Sequence, residues 1–122
     1  MPANPRYKQP VAVFPDGYDA SDVEYILLDT IAGTATNLHV PVTSSVFHCV
    51  GLQGSLNTAG GTVWLEDTDA TQLTGKMYQG GNTVFAIGPG FSICKTAASK
   101  GLAINTATAG FHGVAQFIEV TG

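Results

Sequence analysis

Between residues 23 and 120 the chain repeats one short pattern, a run of alternating β-formers followed by a turn signal. The runs fall at 23–28, 37–42, 46–52, 62–66, 73–78, 83–87, 91–95, 102–105 and 114–120. Between them stand Ile31-Ala32-Gly33-Thr34, Thr58-Ala59-Gly60-Gly61, Asp67-Thr68-Asp69-Ala70-Thr71, Gly80-Gly81-Asn82 and Gly88-Pro89-Gly90. Runs spaced about 8 to 12 residues apart are the pattern of two antiparallel sheets packed face to face. A period of two sends alternate side chains to opposite faces, so each sheet has an apolar side that must be covered by the other. The expected fold is all-β: an antiparallel β-sandwich, jelly-roll-like, of about nine strands. Helices are nearly excluded, because only residues 97–100 could make a single turn and Gly101 stops it.

Residues 46–52 read as a central strand buried on both faces. Pro41, which has no N–H to donate, places 37–42 at an edge or a bulge. The expected core is Val46, Phe47, Val50, Leu52, Val63, Leu65, Phe85, Ile87, Ile93, Ile104, Phe117 and Ile118. Full burial of such a side chain contributes roughly 1.5–3 kcal/mol, most of it offset by backbone ordering.

The outside of this fold has few charges. The 122 residues suit one domain, and only 11% of them are charged, against about 25% in a typical soluble domain. With 14 Thr, 11 Val, 14 Ala and 15 Gly, the polar face must be covered by Thr, Ser, Asn and Gln. Such a surface is a solubility weakness for a freely diffusing enzyme and is expected of a protein packed among copies of itself. Five Lys and Arg oppose nine Asp and Glu, for a net charge of −4. That argues against nucleic acid as a partner, which demands a dense basic stripe, and against an anionic membrane surface. No apolar run approaches the roughly 18 residues of a membrane span. The opening MPANPRYKQP has no apolar signal segment, so synthesis in a cytoplasm is expected.

Residues 1–22 differ from the rest. Pro2, Pro5, Pro10 and Pro15 rule out a helix or central strand there, and Pro15-Asp16-Gly17 reads as a turn. The segment is either a solvated tail or an extended arm lying on a neighbouring subunit, with Val11, Val13, Phe14 and Tyr18 as its contact residues. The expected division is an arm at 1–22 and a β-sandwich domain at 23–122.

Cys49 and Cys94 read as two free buried thiols rather than a disulfide, which would need oxidising conditions and close Cβ atoms on facing strands, and with no CxxC or Cys-His cluster they make no zinc site. His39 and His48 lie on consecutive strands and could meet across a hairpin, but no third metal ligand accompanies them. Glu66, Asp67 and Asp69 form the only acidic cluster; lacking calcium-loop spacing, it reads as a solvated hairpin turn. There is no GxSxG, no phosphate-cradling GxxxxGK[ST] and no assembled nucleophile, base and oxyanion set. The chain is expected to have no catalytic residues, no metal and no cofactor. Trp64, Tyr78 and Tyr25 would form a sugar-stacking platform if they shared one exposed face.

Several segments carry a resemblance: Thr58 to Met77 with its Leu65-Glu66-Asp67 hairpin and Leu73-Thr74-Gly75 strand, Phe91 to Asn105 with Lys100-Gly101-Leu102-Ala103-Ile104-Asn105, and Gly113 to Val120. Over roughly residues 46–120 the chain resembles small β proteins encoded by tailed bacteriophages. The resemblance implies a virion structural protein, in particular a capsid decoration (cement) protein binding the outside of the phage head. It would act through contacts with the major capsid protein and with itself, a trimer suiting a three-fold capsid site. A tail, collar or head-fibre component, or a carbohydrate-binding β-sandwich module, is the alternative. The resemblance brings no catalytic residues with it.

Overall fold

The computed structural model of the chain describes residues 14–57, 60–88 and 92–121. Its nine strands are β1 (Glu24–Asp29), β2 (Thr36–His39), β3 (Val46–Leu56), β4 (Gly61–Asp67), β5 (Met77–Gln79), β6 (Val84–Ile87), β7 (Cys94–Lys95), β8 (Leu102–Ala107) and β9 (Phe111–Val120). One sheet runs β1-β9-β3-β6, with β7 pairing the same strand β3; the other runs β2-β8-β4-β5. All the ladders are antiparallel. Among the described residues the one helical feature is a single 3-10 turn at Ala20–Asp22, opened by Asp19 as its cap.

The pairings have one logic. β4 pairs β5, β3 pairs β6 and β7, β2 pairs β8, and β1 pairs β9. That is one long hairpin bent at the β4–β5 connection and then rolled up, so that β9 also meets β3 and β8 also meets β4. The result is the jelly-roll sandwich of two Greek keys. β6 and β7 act as two pieces of one strand along β3, facing Leu52–Ser55 and His48–Cys49 respectively. Gly88 interrupts them: its φ is +73°, and a Cβ there would strike the carbonyl oxygen of Val50.

Phe47, Leu52, Leu56, Val63, Leu65, Leu102, Ile104 and Phe111 are fully buried between the sheets. Of the expected core, Val50, Phe117 and Ile118 are buried too, while Phe85 and Ile93 are partly buried against it. β3 is central, as its composition predicts. Residues 97–100 make one turn, closed by the Lys100 amide on the Ala97 carbonyl at 3.2 Å.

Three strands are shorter than the sequence predicts. The expected strand at 37–42 ends at His39, two residues before Pro41, and is an edge strand with a register shift between Asn37 and His39. Residues 73–76 form no strand, because the amides of Leu73 and Thr74 both turn to the Leu65 carbonyl and only 77–79 pair with β4. The run at 91–95 contributes only Cys94–Lys95 to the sheet among the described residues.

Candidate interaction surface

Alternation along β1 sends Ile26 and Leu28 into the core and leaves Tyr25, Leu27 and Asp29 on the outer face of the five-stranded sheet. Register extends this face across the sheet. Leu27 lies opposite Val114, Val114 opposite Gln53, and Gln53 opposite Ala86. The next row reads Asp29, His112, Ser55, Val84, and the row on the other side reads Tyr25, Gln116, Gly51. Tyr25, Leu27 and Val84 are 70%, 77% and 75% exposed. The middle of this face is therefore apolar or uncharged, with the Asp29–His112 pair at one end and the His48–Lys95 pair at the other.

The rim of the same sheet is open. β1 pairs with β9 on one side and with no strand on the other among the described residues. Free strand edges are commonly blunted by lysine, proline or a bulge. β1 contains no Lys or Pro and pairs in continuous register over its whole length.

The outer face of the four-stranded sheet is built differently. Trp64 Nε1 donates to Glu66 Oε2 at 3.0 Å, and Asn105 Nδ2 donates to Glu66 Oε1 at 3.3 Å. These bonds satisfy Glu66, which is buried at 4% exposure. Lys76 Nζ stands 4.7 Å from the centre of the Trp64 ring, a cation–π contact. Tyr78 pairs across from Thr62 and is 88% exposed.

These placements change several expectations. Trp64 and Tyr78 share the outer side of one sheet, but Tyr25 lies on the other sheet, so no three-ring platform forms. His39 and His48 do not meet, because the β2–β3 connection crosses between the sheets rather than making a hairpin. His39 stacks on Phe47 at a ring separation of 4.4 Å, while His48 Nδ1 pairs with the Ser92 hydroxyl at 2.8 Å. The acidic cluster is not a solvated turn either. Glu66 and Asp67 are buried, and Asp67 Oδ1 accepts the amides of Asp69 and Thr71 at 2.8 and 2.9 Å, which folds the turn around it. Only Asp69 reaches solvent, where it pairs with Lys100.

One pair had no signal in the sequence. His112 Nδ1 lies 2.7 Å from Asp29 Oδ1, with Ser55 next in the same row. No hydrogen bond joins Ser55 to the ring among the described residues, so the three do not form a relay. Among the described residues no group of three or more His, Cys, Asp or Glu is placed to hold a metal ion.

Of the expected arm contacts, Val11 and Val13 lie outside the described residues. Phe14 and Tyr18 are half-buried. The Pro15–Tyr18 turn forms as read, closed by the Tyr18 amide on the Pro15 carbonyl at 3.0 Å, with Gly17 at φ +84°. The Tyr18 hydroxyl then accepts the Thr121 amide at 3.2 Å, which ties this turn to the residue that follows β9. No helix of the described residues is long and apolar enough to cross a membrane. Compared with known protein families, curated proteins and solved structures, the chain matches none.

Proposed function

We propose that this protein works by contact, as a virion structural protein. The part it fits best is a capsid decoration protein that binds the outside of a phage head and holds capsomers and sister subunits together. The observation that carries this reading is the outer face of the five-stranded sheet: Tyr25 and Leu27 stand in solvent on β1, whose second edge meets no strand among the described residues, and Val84 stands in solvent on β6 across the same sheet. Apolar side chains grouped on one face beside an unguarded edge favour association with another surface. The sparse charge of the chain supports the same reading, since little repulsion opposes packing of identical copies. The jelly roll recurs in viral capsid and lectin domains, a fold-level analogy that adds modest weight.

Each copy needs only a modest patch in this role. Many weak attachments on one shell give a firm array without any single tight contact. The experiment is electron microscopy of the purified protein mixed with empty phage heads. Regular density on the shells, lost when Leu27→Asp is introduced, is the expected result. Shells that stay bare with the unaltered protein would count against this role.

A second reading rests on the other face. Tyr78 stands exposed near Trp64, with the amide of Asn105 close by, a combination that suits a carbohydrate. Glycan-array binding that Tyr78→Ala abolishes is the result this reading requires.

A further inference from the structure

We propose that Cys49 and Cys94 are a poised dithiol that closes into a cross-strand disulfide when the protein meets a small-molecule disulfide such as oxidised glutathione. The two residues lie directly opposite one another on antiparallel β3 and β7. The Ile93 amide also donates to the Cys49 carbonyl at 2.7 Å, so Ile93 and Cys94 both address Cys49. Both pack against the core cluster that contains Cys49, which places the two thiols on the same side of the sheet.

The spacing of antiparallel strands suits the bond. Opposed residues have Cα atoms roughly 4.5–5.5 Å apart, inside the range of about 4.4–6.8 Å found for disulfides. Their Cβ atoms, roughly 4.5–5.5 Å apart, must approach by about an ångström. β7 can supply that shift. It is two residues long, sits at the rim of its sheet and, among the described residues, pairs with β3 alone.

Exposure sets the order of events. Cys49 is buried and Cys94 half-buried, so Cys94 meets the oxidant first. Its thiolate attacks one sulfur of oxidised glutathione, forming a mixed disulfide and releasing one glutathione thiolate. Cys49, deprotonated, then attacks the Cys94 sulfur and expels the second glutathione. Two protein thiols are oxidised, one glutathione disulfide is reduced, and the two thiol protons end on the two glutathione molecules. Burial pushes the Cys94 thiol up to about 11 and the Cys49 thiol up to about 12. Closure is therefore slow at neutral pH and accelerates about tenfold per pH unit while thiolate is scarce. The bond encloses β4, β5 and β6 in its loop and pins the second piece of the interrupted strand to β3.

The test uses the reduced full chain, held folded at pH 8 and pH 9 with oxidised glutathione and followed by intact mass. The expected product has lost two hydrogen atoms, joins the Cys49 and Cys94 peptides, no longer reacts with iodoacetamide after denaturation, and melts about 5 °C or more higher. It forms about ten times faster at pH 9 than at pH 8. A stable single-glutathione adduct on Cys94, or two surviving thiols under conditions that oxidise the denatured chain, would overturn the proposal. Cys94→Ser, which keeps the buried residue intact, must fail to give the two-hydrogen loss.

Discussion

The two outer faces of this sandwich are made from the same residue alphabet and solve opposite problems. On the four-stranded sheet, Trp64, Glu66, Asn105 and Lys76 satisfy one another within one chain, although Tyr78 on the same side stands in solvent. On the five-stranded sheet, Tyr25, Leu27 and Val84 are exposed, and among the described residues no strand pairs with the second edge of β1. The contrast separates side chains that hold the fold together from side chains available to something else. Substitutions on the first face should cost stability, and substitutions on the second should cost contact.

The largest effect is expected at Glu66. Glu66→Ala removes the acceptor of Trp64 Nε1 and Asn105 Nδ2 and should destabilise by about 1–3 kcal/mol, read as a fall in denaturation midpoint. Association should be unchanged; if it fails while the midpoint holds, the division between the faces is wrong. Next comes Leu27→Asp, which puts a charge on the open face at its β1 edge. It should weaken association at least tenfold while shifting stability by no more than about 0.5 kcal/mol, as for other exposed positions.

A smaller effect is expected from pH at the end of that face. Burial, and then the Lys95 charge, lower the pKa of His48. The folded protein thus binds fewer protons there than the unfolded chain, whose histidine titrates near about 6.5. The contribution is complete above that value and is lost as pH falls through the window beneath it. Melting curves between pH 7.5 and pH 5 should show His48→Gln losing less stability on acidification than the unaltered protein. An identical loss in both would refute the assignment. The smallest effect is Lys100→Ala, which opens an exposed ion pair with Asp69 and should leave the melting temperature unmoved at physiological salt.

Much of the fold was legible because a period of two is written directly into the side chains. Val63, Leu65 and Ile104 announce their strands and their inward faces, and both are where the alternation puts them. Partner choice is not written that way. Nothing local tells His39 and His48 that the chain between them crosses from one sheet to the other, or tells Cys49 that its partner is Cys94. The acidic turn misled for a related reason: Glu66 and Asp67 look like solvated residues until Trp64, Asn105 and the amides of the turn are placed around them. Leu73 and Thr74 have the composition of a strand, yet both amides go to Leu65. The open face was legible only in part, since Tyr25 and Leu27 alternate correctly but their company of Val114 and Ala86 depends on register across three ladders.

Sedimentation velocity over a wide concentration range, run on the unaltered chain beside Leu27→Asp, tests most directly whether the five-stranded sheet presents a working contact surface. A working contact surface there predicts a discrete oligomer for the unaltered chain and a monomer for the variant, with equal melting temperatures. A monodisperse monomer for both, or the same oligomer for both, would contradict it.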